Sequence, residues 1–276
     1  MPSLHLPARP RAGVYTRICS PRSEPLRHIE LGMLSIQDPA EEWHTETGER
    51  EMVIDVFSGK CTVRIEGPGG NAHFPEIGIR PTVFAGKPTL VYVPRESRVE
   101  LFADQTPLTA AVAFAPAREV HPTAYVHPEE TVVKSVGHGN WRRTVITGVG
   151  ENVRADRLMV GETVNPSGHW SSYPPHKHDA PSESEEPMEE VYLFRVDPPG
   201  GFGIQRVYTP PDDPEPFDEA VVVQDGDAVV LPRGYHPVVG APGYRLFYLW
   251  VLAGESRRYG AWSDDPRHAW VKGKRA

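Results

Sequence analysis

Four residues in the second half of the chain have the types and the spacing of a metal site. The segment SSYPPHKHD places His176 and His178 two residues apart. In a β-strand, residues i and i+2 point to the same face, so both imidazoles can reach one ion while Lys177 points away. A carboxylate, Glu190, follows in the apolar segment EEVYLFRV, and His236 follows a proline–glycine turn in VVLPRGYHPVV. Three imidazoles and one carboxylate from separate strands leave coordination positions open, as a catalytic metal requires.

The acidic residues near this set offer a second candidate carboxylate. Glu189 directly precedes Glu190, and spacing alone allows either of them to serve. In a strand over EEVYLF, Glu190 shares a face with Tyr192 and Phe194, which favours Glu190. The segment from Asp179 to Met188 (DAPSESEEPM) is polar and contains proline, so we interpret it as an acidic, solvated surface loop. The histidines without paired spacing are interpreted as structural or surface residues, among them His44, His73, His121, His127 and His138.

Composition indicates the kind of scaffold that positions these residues. The chain has 276 residues with 30 prolines and 25 glycines, and its proline content is about double the usual ~5%. Because proline is poorly tolerated in helices and central strands, this composition favours many short strands joined by turns. The net charge is −8 and no stretch is strongly basic, which argues against nucleic acid as a partner.

The sequence also argues against a membrane or secreted protein. No apolar run reaches the ~18 residues of a membrane span. The N-terminal segment MPSLHLPARPRAG lacks the apolar core of a secretory signal. The two cysteines, Cys19 and Cys61, do not resemble a disulfide framework or a thiolate metal site. We therefore expect a cytoplasmic protein.

Short apolar or alternating segments separated by turn residues recur along the whole chain, which predicts an all-β protein. The two halves follow one plan, in which a strand ends at a proline turn at Val93-Pro94 and again at Leu231-Pro232. The polar segment 115–140 is interpreted as a linker with a short pairing strand at Thr131–Val136. We predict two domains, residues 1–125 and 126–276. The predicted strands are Met52–Phe57, Cys61–Ile65, Thr89–Val93, Val99–Phe102, Ala110–Phe114, Thr144–Gly148, Leu158–Val164, Glu190–Val196, Gly203–Thr209, Glu219–Val223, Ala228–Leu231 and Arg245–Leu252.

The metal-site motifs resemble those of the cupin superfamily, which are Gly…His-x-His…Glu and Gly…Pro-x-Gly…His. Two departures are visible: the loop between His178 and Glu190 is longer than usual, and the motif that ends at His236 is one residue shorter. The resemblance implies two jelly-roll β-barrel domains in one chain, a bicupin. The N-terminal half has no matching His-x-His, so we expect it to be a metal-free structural cupin.

Longer segments resemble the bacterial 5-deoxy-glucuronate isomerase family of myo-inositol breakdown. They are GHWSSYPPHKHD, EEVYLFRVDPPGGFGIQRVYT, VVLPRGYHPVVGAPGY, YLWVLAG with DDPRHAW and, in the first half, IGIRPTVFAGKPTLVYVP. His169 stands where that family has asparagine. The resemblance is weaker for the related hexuronate ketol-isomerases of pectin breakdown. The resemblance to the 5-deoxy-glucuronate isomerase family implies an aldose–ketose isomerisation of 5-deoxy-D-glucuronate to 2-deoxy-5-keto-D-gluconate, in which a divalent ion stabilises an enediolate.

This interpretation assigns roles to individual residues. The expected cofactor is one divalent metal ion, zinc in the first place, with manganese, iron or nickel as alternatives. The proton-transfer candidates are Glu190, Tyr192 and Tyr248. The candidates for holding the substrate carboxylate are Gln205, Arg206 and Arg233. We expect a small sugar acid as the partner, and a homo-oligomer as one state that the chain can adopt.

Two other functions fit the same ligand set. An Fe(II) dioxygenase uses similar ligands for oxygen chemistry, and metal analysis with an oxygen-consumption assay would distinguish it. A non-enzymatic sugar-binding bicupin with a structural metal is the other alternative. Against the second stands the number of polar and aromatic residues on the predicted site strands, which exceeds what a closed structural site needs.

Overall fold

A computed structural model describes residues 3–10 and 12–273 of the chain, so the N-terminal segment MPSLHLPARPRAG is described only in part. The regular secondary structure of the described residues is almost entirely β. Their strands are β1 (His5–Leu6), β2 (Tyr15–Cys19), β3 (Glu30–Ile36), β4 (Glu42–Glu46), β5 (Arg50–Glu66), β6 (Ala72–Ile77), β7 (Thr89–Val93), β8 (Arg98–Pro116), β9 (Ala124–Val126), β10 (Val132–Val136), β11 (Arg143–Val149), β12 (Met159–Asn165), β13 (Trp170–Ser171), β14 (His176–Lys177), β15 (Met188–Asp197), β16 (Gly203–Tyr208), β17 (Asp218–Val223), β18 (Ala228–Leu231), β19 (Val238–Gly240), β20 (Arg245–Gly254) and β21 (Ser263–Asp264). Short 3-10 turns occur at Pro128–Glu130, Gly139–Trp141 and Ala269–Gly273.

The first half is one eight-stranded antiparallel sheet in the order β2-β3-β8-β5-β7-β9, with β4 on β8 and β6 on β5. The predicted strands Met52–Phe57 and Cys61–Ile65 are parts of the single strand β5, which corrects the predicted turn at Ser58-Gly59. Register shifts between β5 and β8 occur at these residues, and Gly59 has φ 85°. A Cβ at Gly59 would lie 2.8 Å from the Pro107 carbonyl oxygen, so only glycine fits where the two long strands bend together.

The second half contains a seven-stranded sheet in the order β1-β18-β15-β20-β12-β11-β10 and a four-stranded sheet in the order β13-β19-β16-β17. A two-stranded ribbon of β14 and β21 lies beside them. The predicted pairing strand in the linker is confirmed as β10, which pairs with β11. Within the part of the chain that the structure describes, no helix is long and apolar enough to cross a membrane.

Strand registers relate the two halves to each other residue by residue. In the second half Glu190 pairs with Leu231, and in the first half Met52 pairs with Val93. Proline follows both Leu231 and Val93, so β15 corresponds to β5 and Met52 occupies the position of Glu190. The first half therefore has a thioether where the second half has a carboxylate.

One strand departs from the predicted division at residue 125. His5 and Leu6 pair with Val229 and Ala228, so the N-terminal strand completes the edge of the second half's sheet. Val126 in turn pairs with Leu90 in the first half. The division into residues 1–125 and 126–276 therefore stays a prediction, and each half contributes one or two residues to the sheet of the other.

Two carboxylates in equivalent positions tie each half to the other. Glu51 accepts hydrogen bonds from the backbone N–H groups of residues 156, 157 and 158, at 2.6 to 2.7 Å. Glu189 accepts hydrogen bonds from the backbone N–H groups of residues 27, 28 and 29, at the same distances. A buried ion pair between Arg80 and Glu162 also links the halves. Each carboxylate accepts hydrogen bonds from three backbone N–H groups that directly precede a strand of the other half. These bonds hold the two halves in a fixed relation.

Candidate metal centre and its cavity

The histidines predicted as ligands meet at one point of the second barrel. His176 lies on β14, His178 directly follows it, and His236 follows the turn after β18. One ring nitrogen of each lies within 4.8 Å of those of the other two. Glu190, on β15, directs Oε2 to within 3.2 Å of His178 Nε2 and 3.3 Å of His236 Nε2. The four predicted ligands are therefore neighbours in space.

Backbone carbonyls orient two of these rings. His178 Nδ1 lies 2.7 Å from the Met188 carbonyl oxygen, and His236 Nδ1 lies 2.9 Å from that of Gly234. When Nδ1 donates to a carbonyl, Nε2 carries the lone pair that can bind a metal. His236 Nε2 is buried and has no hydrogen-bond partner. A buried, unpartnered nitrogen that faces two other imidazoles and a carboxylate fits a divalent cation.

The protonation of the cluster agrees with this fit. Burial lowers the pKa of His236 to about 4, and burial together with His236 and His178 holds the pKa of His176 well below its usual value. Burial also lowers the pKa of His178, but the hydrogen bond and charge of Glu190 outweigh it and raise the pKa overall. The rings of His176 and His236 are therefore neutral at neutral pH, and a bound cation would compete with protonation of His178.

Glu189 and Glu190 point to opposite faces of β15, and of the two only Glu190 contacts the histidine cluster. Glu190 faces the histidines, whereas Glu189 binds the backbone of residues 27–29 in the other half. The acidic loop before them is exposed at residues 180–184, but its Glu185 is 3% exposed and binds Lys177. Lys177 points away from the cluster, as its strand position predicts.

A cavity of about 280 Å³ opens from the histidine cluster into the barrel. Such a volume suits a small ligand and lies near the lower end of binding-site sizes, about 300–1,000 Å³. Its wall includes His176, His178 and Glu190. The other polar or charged side chains on the wall are Lys134, Arg143, Thr163, Ser172, Tyr192, Tyr248 and Tyr259, and the apolar ones include Val136, Val145, Met188, Trp250, Leu252 and Trp262.

The predicted tyrosines lie in this cavity with their hydroxyls fixed. Tyr192 and Ser172 hydroxyls are 2.9 Å apart, and Tyr248 hydroxyl bonds to Ser171. The two tyrosine rings are 4.3 Å apart between centroids. Burial, with the charge of Glu190, raises the pKa of Tyr192 well above its usual value, so this phenol keeps its proton. Ser172 adopts φ 49°, a strained conformation for a non-glycine residue at a site that orients a polar group.

Comparisons with known proteins identify the family. The sequence profile described as the KduI/IolB family matches residues 6–271. The chain belongs to this family. A protein named 5-deoxy-glucuronate isomerase from Geobacillus kaustophilus is 39% identical over 228 residues, covering 82% of this chain and 79% of that protein. A protein of the same name from Bacillus subtilis strain 168 is 34% identical over 249 residues, covering 89% and 88%.

Solved structures agree with the family and the fold. An IolB-like protein from Salmonella typhimurium LT2 matches with a TM-score of 0.90 and 31% identity, covering 98% of this chain and 99% of that one. Lactobacillus farciminis oxalate decarboxylase matches with a TM-score of 0.65 at 10% identity, covering 98% and 88%, and bears on the fold alone. The predicted bicupin fold and the predicted isomerase are confirmed, and neither the dioxygenase nor the non-enzymatic alternative is favoured.

Within this KduI/IolB family member, the predicted substrate arginines lie away from the cavity. Arg206 forms a bidentate ion pair with Asp218 and lines a different groove. Arg233 binds Asp213 at 2.6 Å, on the outside of the turn that leads to His236. Each guanidinium has a carboxylate partner outside the cavity, so the structure does not bring either arginine to the histidine cluster.

Gln205 contacts the backbone of His236 and is not among the residues that line the cavity. Its Nε2 donates to the carbonyl oxygen of His236 at 2.7 Å and to that of Pro237 at 3.1 Å. Gly234, with φ 93°, makes the turn before His236, and a Cβ there would lie 2.7 Å from the Tyr208 carbonyl oxygen. These backbone contacts fix the direction in which the imidazole enters the barrel.

Arg143 is the cavity arginine that the sequence interpretation missed. It begins β11, and Val145, two residues later, also lines the cavity. That alternation was a usable signal, because residues i and i+2 of a strand share a face. His169, noted in the sequence, lies outside the cluster, where its Nδ1 bonds to the Arg142 carbonyl oxygen at 2.8 Å.

The C-terminal segment of the family member covers the histidine cluster, which the sequence interpretation also missed. Trp262 stacks on His176 with 5.1 Å between ring centroids. The strand β21 pairs with β14, which carries His176. Asp265, directly after β21, accepts hydrogen bonds from Tyr208 hydroxyl at 2.7 Å and from Arg267. Asp265 therefore anchors the segment that holds His176 in place.

Removing the Asp265 carboxylate should weaken this anchor in a pH-dependent way. Burial alone would raise the pKa of Asp265, but the hydrogen bonds from Arg267 and Tyr208 outweigh it and lower the pKa to about 2. A lowered folded-state pKa contributes stability above the ordinary value of 3.8, and this contribution is lost as the pH falls toward 2. We expect Asp265→Asn to lose about 2 kcal/mol of unfolding free energy above pH 5.

The measurement is urea unfolding of both proteins between pH 2 and pH 7. The difference in free energy of unfolding between wild type and Asp265→Asn should shrink as the pH falls below the ordinary aspartate pKa of 3.8. Asp264→Asn, one residue earlier, is the matched control. A difference that is constant down to pH 2 would contradict the role of the ionised carboxylate.

Proposed function

We propose that this chain isomerises 5-deoxy-D-glucuronate to 2-deoxy-5-keto-D-gluconate. The observation that carries the proposal is the meeting of the histidine cluster, Glu190 and two buried tyrosines in one small cavity. The relatives named 5-deoxy-glucuronate isomerase support the choice of substrate. The resemblance to enzymes of myo-inositol breakdown supports a place in that pathway and a cytoplasmic location.

We propose His176, His178, His236 and Glu190 as the residues that hold one divalent ion, with zinc as the ion, because the donor set suits it. When bound, such an ion polarises the substrate carbonyl as a Lewis acid. The unpartnered Nε2 of His236 supports this assignment. For the first half we propose no metal, since Met52 stands where Glu190 stands in the second half.

The isomerisation moves one proton between neighbouring carbons. Glu190 is the acidic side chain on the described wall of the cavity, and its contacts with His178 and His236 use Oε2. We assign to Glu190 the removal of the proton from the carbon beside the carbonyl, and its return to the former carbonyl carbon. Tyr192, which keeps its proton at neutral pH, donates a hydrogen bond to the substrate oxygen that gains charge. Tyr248 packs against Tyr192. We assign to these two phenols the transfer of the hydroxyl proton from the neighbouring oxygen, which becomes the ketone, to the former carbonyl oxygen, which becomes the hydroxyl.

Tyr192→Phe should lower kcat by about 10²- to 10⁴-fold, the usual range for a lost proton donor. Metal content should stay at the wild-type level, because the hydroxyl bonds to Ser172 and not to the histidines. Steady-state kinetics with metal analysis provides the measurement. Tyr235→Phe is the control, since Tyr235 is buried in the same half outside the cavity. A kcat within twofold of wild type would contradict the role of Tyr192.

The direct test of the proposed function follows the substrate by NMR. Purified enzyme is incubated with 5-deoxy-D-glucuronate, and the signals of the ketose product should appear as those of the aldose decline. Oxygen consumption is recorded in parallel and should be absent. Failure to form the ketose, or conversion that depends on oxygen, would overturn the proposal.

A further inference from the structure

The charges on the wall of the cavity favour an anionic ligand. Lys134 and Arg143 contribute two cations, whereas Glu190 contributes a carboxylate that already contacts His178 and His236. Lys134 is exposed on β10, at the rim, and Arg143 lies deeper, at the start of β11. The cavity therefore has positive charge that no neighbouring carboxylate on its described wall balances.

Arg143 is held in position while part of its guanidinium is left free. Its Nη1 donates to the carbonyl oxygens of Tyr173 at 3.1 Å and of Trp141 at 3.3 Å. Its Nε is buried without a hydrogen-bond partner, and no hydrogen bond of Nη2 to a described residue is found. One edge of the guanidinium is thus anchored to the backbone, which leaves donors for a ligand.

The other arginines of this half with side chains near the site have carboxylate partners. Arg206 pairs with Asp218, Arg233 with Asp213 and Arg267 with Asp265. Arg143 has no carboxylate partner among the described residues, although burial lowers its pKa and so disfavours its charged form. An unpaired buried charge costs free energy unless a ligand supplies the counter-ion.

The position of Arg143 suits the far end of a sugar acid. Arg143 lines the same cavity as His176, Tyr192 and Tyr248, so a ligand bound to its guanidinium lies in the space that these residues share. A guanidinium grips a carboxylate at two points, which fixes direction as well as position. A six-carbon acid held there would present its carbonyl end to the histidine cluster.

We propose that Arg143 binds the carboxylate of the substrate, with Lys134 at the rim, and so selects sugar acids over neutral sugars. The identity of the substrate rests on the proposed function. The subsite itself depends only on the charge and geometry of the cavity.

The test uses Arg143→Gln, Arg143→Lys and the control Arg142→Gln, an exposed neighbour in the same sequence. For each variant, KM and kcat are measured with 5-deoxy-D-glucuronate, and binding of D-glucuronate and D-glucose is measured by calorimetry. We expect Arg143→Gln to raise KM on the order of 10- to 100-fold, as for a lost charged hydrogen bond. Arg143→Lys should recover part of the loss, and Arg142→Gln should behave as wild type.

A second readout separates ligand binding from a structural role. Since the unpaired charge is costly in the free protein, the melting temperature of free Arg143→Gln should equal or exceed that of wild type. A lower melting temperature with an unchanged preference for D-glucuronate over D-glucose would overturn the proposal. If the wild type binds D-glucuronate through Arg143 but does not isomerise 5-deoxy-D-glucuronate, the proposed function fails and the subsite stands. If Arg143→Gln isomerises with unchanged KM, the subsite fails and the function stands.

Discussion

His236→Ala is expected to lose the metal ion and to lower kcat on the order of 10³-fold or more, the effect of losing a Lewis acid worth several kcal/mol. His236 is 1% exposed, and its Nε2 faces the cluster without a hydrogen-bond partner. The imidazole adds no hydrogen bond between strands, so the fold should survive. Metal analysis, kinetics and circular dichroism of the purified variant provide the measurements. His176→Ala should behave in the same way.

The matched control for these variants is His169→Ala. His169 belongs to the same motif region but bonds to the Arg142 carbonyl oxygen outside the cluster. The His169→Ala protein should keep its metal and most of its activity. A His236→Ala protein with full metal content and wild-type turnover would show that the cluster is not the reaction centre.

Glu189→Gln and Glu190→Gln should affect different properties although the residues are adjacent: the first should lower stability and the second activity. Glu190→Gln should lower kcat at least 10²-fold through the loss of a base and of a metal-binding carboxylate, with the free energy of unfolding changed by less than about 1 kcal/mol. Glu189→Gln should lower the free energy of unfolding by about 3 kcal/mol, since an amide cannot accept from all three N–H groups of residues 27–29. Kinetics and urea unfolding of both variants make the comparison.

The equivalent carboxylate of the first half provides the control for this pair. Glu51→Gln should destabilise the protein about as much as Glu189→Gln does, because Glu51 accepts three backbone N–H groups in the same way. Loss of turnover in Glu189→Gln at a temperature where it is fully folded, with Glu190→Gln active, would reverse the assignment.

Local pattern was sufficient to predict that His176, His178 and Glu190 meet at one site. The spacing of His176 and His178, and the phase of β15 that places Glu190 beside Tyr192, are properties of single strands. Each was predictable because strand alternation has a period of two and apolar neighbours set the phase. Tyr248, on the neighbouring strand β20, lies in the same cavity for the same reason.

The arginine that lines the cavity could not be predicted from pattern in the same way. Arg206 and Gln205 are adjacent, and which of them faces inward depends on how β16 pairs with β17 and β19. Arg233 follows a turn, where alternation gives no direction, and Asp213 binds it outside the barrel. An arginine near a motif was therefore a poor guide to the arginine in the cavity.

Contacts between distant segments were the part of the structure that no local signal indicated. Trp262 reaches His176 because β21 pairs with β14, which lies almost ninety positions earlier in the chain. Glu189 was interpreted as a second candidate for the carboxylate ligand, and its contacts appear only once residues 27–29 are placed beside it. The internal symmetry that pairs Glu189 with Glu51 becomes visible only through the strand registers.

The central claim is that one divalent ion held by the histidine cluster and Glu190 supports the isomerisation. The most direct measurement is an NMR time course of 5-deoxy-D-glucuronate with enzyme freed of metal by a chelator, before and after addition of one equivalent of Zn²⁺. We predict no conversion by the metal-free enzyme, recovery after zinc is added, and no recovery in His236→Ala. Full conversion by enzyme that contains no detectable metal would contradict the account.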